Sequence, residues 1–168
     1  LEDEIKRLLE YREALEQTWL FGETISPPVQ NKIAKSMKMR EYDQAGILLE
    51  DVPADSIFIV NSGEIERVFD GEVIETLGRK SVFGEEQVLL GRPTEFEFRT
   101  AGPCRIYEVP GDALVGIPIV MWKLLETFEL RSAAHSGPFI KAALPAQWDP
   151  DAAARHASPP ADRATASL

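Results

Sequence analysis

At 168 residues the chain is long enough for one domain with a sizeable core plus attached segments, and two such cores would not fit. A net charge of -10 excludes the clustered Lys and Arg of a nucleic-acid surface, so no nucleic-acid partner is expected. No apolar run approaches the roughly 20 residues of a membrane-spanning helix, so the segment itself does not cross a bilayer. The single cysteine, Cys104, allows no internal disulfide and reads as a buried structural thiol.

Residues 1 to 20 carry Leu1, Ile5, Leu8, Leu15 and Trp19 at alternating four- and three-residue spacings, with Arg12 at the remaining seam position. This predicts an amphipathic helix. With fewer than three heptads, the stripe serves either its own domain or a linker or homodimer contact. Ser26-Pro27-Pro28 marks a second helix start, with Ser26 as N-cap and Val29, Ile33 and Met37 on one face. From about residue 45 the pattern changes to short strands with turn signals, at 46–50, 56–60, 64–69, 72–77, 95–101 and 104–109.

Asp70-Gly71 supplies the positive φ angles of a tight hairpin turn, and Asn61-Ser62-Gly63 makes a second reversal. In Glu95-Phe96-Glu97-Phe98-Arg99 the alternation is strict, which sends Phe96 and Phe98 to the core and the charges outward. A helical pattern returns after Pro110-Gly111-Asp112 and runs through Val120, Leu124, Leu125 and Phe128, with Pro118 as an interruption. Residues 145 to 168, rich in Ala, Pro and Asp around Trp148, read as a disordered tail or linker.

The stretch with most chemical content is Phe83-Gly84-Glu85-Glu86-Gln87-Val88-Leu89-Leu90-Gly91-Arg92-Pro93-Thr94-Glu95-Phe96-Glu97. It resembles the phosphate-binding cassette of cyclic-nucleotide-binding domains, whose pattern reads Phe-Gly-Glu, an apolar helical turn, then Pro-Arg-x-Ala-Thr or Ser. Counted without a gap, Phe83, Gly84, Glu85, Leu89 and Pro93 fall on pattern. The arginine position holds Thr94, the alanine position Phe96 and the hydroxyl position Glu97. The wider resemblance covers about residues 22 to 133. It implies a mainly β fold: a double-stranded β-helix (jelly-roll) barrel with N-terminal and C-terminal helices.

The resemblance also implies roles. Backbone N–H groups of the cassette helix would face a cyclic phosphate, Gly84 would permit close approach, and Glu85 would accept a ribose hydroxyl. The family arginine gives a charge-assisted phosphate contact that a threonine hydroxyl replaces poorly. Its loss costs roughly 1.5–3 kcal/mol, and Glu97 about 5 Å from the phosphate adds repulsion on the order of 3 kcal/mol at an effective dielectric near 20. Together these amount to roughly three to four orders of magnitude in affinity. Arg92, Arg79, Lys80 and Arg99 are the substitute cations near in sequence, and Arg92 is the first choice for a working cAMP or cGMP sensor.

An enzyme is not expected. The only histidines, His135 and His156, lie outside the β body, so neither a metal site nor a Ser-His-Asp or Cys-His arrangement can be built there. A DNA-binding regulator is not expected either, because the sequence after Arg131 lacks a basic, periodic recognition helix. The division drawn is a linker or dimerisation helix at 1–24, a cyclic-nucleotide-binding-like domain at 25–133 and a tail at 134–168. The chain starts at Leu1 without a basic, apolar leader and is expected to be a piece of something longer. The resemblance implies a cytoplasmic regulatory region of a membrane transport protein, an ion channel or cation/proton exchanger, with no resident cofactor or metal. Ile119, Trp122, Leu125 and Phe128 are the expected contacts of its last helix.

Overall fold

The computed structural model describes residues 1–21, 25–50 and 55–134, so the tail with Trp148 and both histidines lies outside the described residues. Helix α1 (Glu2–Glu16) and helix α2 (Pro27–Ser36) lead into seven strands: β1 (Lys38–Tyr42), β2 (Ser56–Ser62), β3 (Ile65–Phe69), β4 (Glu72–Leu77), β5 (Val82–Phe83), β6 (Glu97–Thr100) and β7 (Cys104–Pro110). Helix α3 (Glu85–Leu90) interrupts them between β5 and β6, and a short 3-10 turn precedes helix α4 (Pro118–Ala134). All pairings are antiparallel and form two sheets, ordered β1-β7-β2-β5 and β4-β3-β6. The flanked antiparallel architecture is the expected one, with two sheets rather than a closed ring of strands among the described residues.

Strand β2 explains how two cores share one sheet. Its residues from Ser56 to Val60 are buried on both faces, which is why it reads as a continuous apolar run. Ile57 and Ile59 join a cluster with Leu15, Phe21, Ile33, Tyr107, Leu114 and Leu124 under the helices. Phe58 and Val60 point the other way, into a cluster with Phe83, Phe96, Phe98, Ile106 and Phe128 between the sheets. The expected inward direction of Phe96 and Phe98 is therefore observed. The Asp70-Gly71 turn also forms as expected, with φ of 50° and 81°.

Several elements differ from the expectation. Helix α1 stops at Glu16, and its buried face is Tyr11, Ala14 and Leu15, whereas Leu1, Ile5 and Trp19 are exposed. Contacts decide this: the Tyr11 ring sits edge-on to Tyr107 with centroids 5.0 Å apart, which fixes the rotation of the helix. Strand β1 carried no apolar alternation and is held by its register with β7, where Arg40 pairs with the buried Glu108 at 2.6 Å. Residues 46–50 run beside β6 through irregular hydrogen bonds, with one bridge from Leu48 to Arg99. Pro118 opens α4 rather than interrupting it, as its preset φ and missing N–H allow. In α4 Leu125 and Phe128 are buried, while Ile119 and Trp122 remain partly exposed, so only half of the expected contact set is used within the domain.

Candidate functional site

The cassette begins where β5 ends. Phe83 is fully buried, stacked on Phe58 at 5.1 Å and tilted against Phe98 at 4.6 Å, so its part is to anchor. Gly84 caps α3 with φ of 91°, and a Cβ there would meet the Ser56 carbonyl oxygen at 2.8 Å. The position needs glycine for both reasons. Helix α3 then buries three polar residues in a row, Glu85, Glu86 and Gln87, where the family pattern has an apolar turn after its glutamate.

Glu85 is engaged from inside the protein. Arg131, in the last turns of α4, donates from Nη1 to Glu85 Oε1 at 2.6 Å and from Nη2 to the Val82 carbonyl at 2.5 Å. Its Nε lies 3.3 Å from Glu75 Oε2, and Arg67 pairs with the same carboxylate at 3.0 Å. Burial works against the Arg131 charge, but Glu85 and Glu75 outweigh it and hold the guanidinium above its ordinary pKa. Burial dominates at Arg67 and pulls it below. The expected ribose acceptor thus has one oxygen on Arg131, and its Oε2 is buried without a hydrogen-bond partner.

Thr94 and Glu97 do come together, lining a cavity of about 260 Å³ with Glu50, Gln87, Phe96 and Phe98 among its walls. No Lys or Arg is among its lining residues within the described part of the chain. Thr94 offers it little, because its hydroxyl donates to Glu86 Oε2 at 3.0 Å and accepts the Phe96 N–H at 3.1 Å. Arg92, the first substitute cation, does not line the cavity; its Nε and Nη2 are buried and without hydrogen-bond partners. Arg99 is paired with Glu66, and Arg79 reaches Gln17. Glu86, Arg67 and Arg131 escaped the sequence reading. Glu86 left one signal, a charge in the expected apolar turn, while Arg131 left none, being 46 residues from Glu85.

The antiparallel sheets broken by a glycine-capped helix, with α4 packed on that helix, share the jelly-roll fold of cAMP-binding regulatory domains. Residues 44–117 match the family model of the cyclic nucleotide-binding domain. Domains of this family are regulatory rather than catalytic. A stretch of 73 residues is 37% identical to the potassium channel AKT2 of Oryza sativa subsp. japonica, covering 40% of this chain and 8% of the channel.

Among solved structures, cAMP-bound PfPKA-R matches with a TM-score of 0.63 and 20% identity, over 77% of this chain and 47% of that one. The regulatory subunit of a cAMP-independent protein kinase A from Trypanosoma brucei matches with a TM-score of 0.65 and 11% identity, over 83% of this chain and 50% of that one. A variant of that subunit, with a glutamate and a valine changed to alanine and a threonine to arginine, is bound to cAMP in its A site; it matches with a TM-score of 0.63 and 12% identity, over 82% and 52% of the two chains. The chain thus spans about half the length of these regulatory subunits and a small fraction of the channel.

Burial of Glu86, reinforced by Glu85, raises its pKa despite the Thr94 hydroxyl and the nearby Arg67 and Arg92. A raised folded-state pKa gives stability that is present below the unfolded value of about 4.3 and is lost as pH rises through the folded value. Glu86→Gln is therefore expected to raise the Tm at pH 7 by about 2 to 4 °C, corresponding to ~1 kcal/mol. The gain should vanish below about pH 4. Thermal melts of both proteins across this range measure it, and an equal gain at all pH values would contradict the assignment.

Proposed function

We propose that this chain is a cytoplasmic regulatory domain of a larger membrane transport protein, an ion channel or cation/proton exchanger, in which the cassette has ceased to bind cyclic nucleotide and α4 is held by protein contacts instead. One observation carries the reading: Arg131 of α4 occupies Glu85, while the cavity beside Thr94 and Glu97 has Glu50 and Glu97 and no cation among its described lining residues. An anionic phosphate placed there meets repulsion, and the missing arginine removes the charge that would offset it. The likeness to AKT2 supports the channel context. No helix among the described residues is long and apolar enough to cross a membrane, which suits a domain attached to a spanning region. The proposed unit is residues 25–133, with 1–24 as linker or dimerisation helix and 134–168 as tail.

A second reading has its own observation. The family match and the unpartnered guanidinium nitrogens of Arg92 favour a cAMP or cGMP sensor in which Arg92 turns into the cavity. Calorimetric titration of the unmodified chain with cAMP and cGMP separates the two: the first reading expects no measurable heat, and micromolar binding would replace it with the second.

Two further outcomes test the helix contacts. Arg131→Ala strands the buried Glu85, while Glu75 keeps Arg67, and is expected to cost about 3–5 kcal/mol, with faster amide exchange over 125–134. Unchanged exchange there would remove Arg131 as the element that holds α4. Leu1, Ile5 and Leu9 are exposed on α1, so the proposed homodimer through residues 1–20 uses this outer face. Sedimentation should then show a dimer that Ile5→Glu with Leu9→Glu converts to monomer, and a monomer in both proteins would exclude it.

A further inference from the structure

Within the reading of a degenerate cassette, we propose that Glu86 is its specificity-determining residue: it holds the side chain at position 94 against α3, so that a cation placed there serves the protein and not an anionic ligand. The sequence alone names Thr94 and Glu97 as the departures, and suggests that Thr94→Arg with Glu97→Thr would restore binding. The geometry adds a third element. Glu86 lies in α3 with 8% exposure, and Thr94 is its hydrogen-bond donor at 3.0 Å.

Replacing Thr94 removes that donor, and a buried carboxylate without a donor is strongly disfavoured. An arginine at 94 starts from the same Cβ and brings a fork of N–H donors matched to a carboxylate. Glu86 therefore captures it first. Arg92 is no substitute within the native chain, since it does not line the cavity and its Nε and Nη2 are buried without a hydrogen-bond partner. The nearby Arg67 leaves Glu86 no weaker as a competitor, since Arg67 is committed to Glu75 and stacked on Phe96 at 4.5 Å. Glu86 acts through residue 94 and is a positioning residue, without contact to the ligand itself.

The experiment compares cAMP affinity, by calorimetry on the full chain, for Thr94→Arg/Glu97→Thr and for the same pair with Glu86→Gln, with melts confirming that both fold. The triple variant is expected to bind at least about tenfold more tightly, and Glu86→Asp in place of Glu86→Gln should leave affinity at the level of the pair. Equal affinity of the pair and the triple variant, including no binding by either, overturns the proposal. Binding of cAMP by the unmodified chain strikes instead at the degenerate reading and is measured in its own arm. A readout independent of ligand is the carbon-13 titration of the Glu86 carboxyl: in Thr94→Arg it should move to lower pH, and an unchanged titration also overturns the capture.

Discussion

One guanidinium organises the closing half of this domain. Arg131 joins α4 to α3 through Glu85, to β4 through Glu75 and to β5 through the Val82 carbonyl, so three consecutive elements meet a distant helix on one planar donor group. Such a group is costly to bury, and the site compensates by pairing it twice and bonding it to backbone. Arg67 shares Glu75, giving two cations and two carboxylates in one cluster. Losing Arg131 takes the ion-pair partner from the buried Glu85, and losing Glu75 takes it from the buried Arg67. The cluster does not add stability in proportion to its contacts; it makes one position of α4 far better than others.

That constraint accounts for the state of the cassette. Three cations close to the pocket are spent on internal carboxylates, Arg67 and Arg131 on Glu75 and Glu85 and Arg99 on Glu66, and Arg92 does not line the pocket. In a chain of net charge -10 little positive charge is left to face a ligand, and the cavity beside Thr94 is lined by Glu50 and Glu97. The backbone of the motif is nevertheless intact, since Gly84 keeps its left-handed cap and Phe83 its place in the core. On the proposed reading backbone geometry and charge have separated here, because the first is needed to fold and the second only to bind.

The same separation sets what the sequence could disclose. The strands at 56–62, 65–69, 72–77 and 104–110 were legible because apolar runs and turn residues are local signals, and the strict alternation around Phe96 fixed its direction. Strand β1 was not, since Lys38–Tyr42 sits at a sheet edge and its reason to be extended is the register with β7. The face of α1 was misjudged for a related reason: a stripe drawn from residue 1 cannot know that only the turns near Tyr11 and Leu15 find a surface. In the site, Thr94 and Glu97 were visible as departures from a pattern. Arg131 was invisible, because a partner 46 residues away is chosen by tertiary structure alone.

On the proposed reading, α4 is the element on which inputs converge. At its cassette end Arg131 fixes the last turns, and nearer its start Lys123 donates to the Trp19 carbonyl at 2.8 Å and lies 5.0 Å from the Trp19 ring, just beyond α1. A force on α1 therefore reaches α4 through Trp19, and a force on the chain after residue 134 arrives within a turn of Arg131. A ligand shifts such an equilibrium only by its differential affinity for the two positions. With Glu85 already engaged by α4, the differential term belongs to the protein, and any partner that moves the helix must offer Arg131 acceptors as good as those it gives up. Carboxylates on the partner meet that requirement, and an apolar surface alone does not.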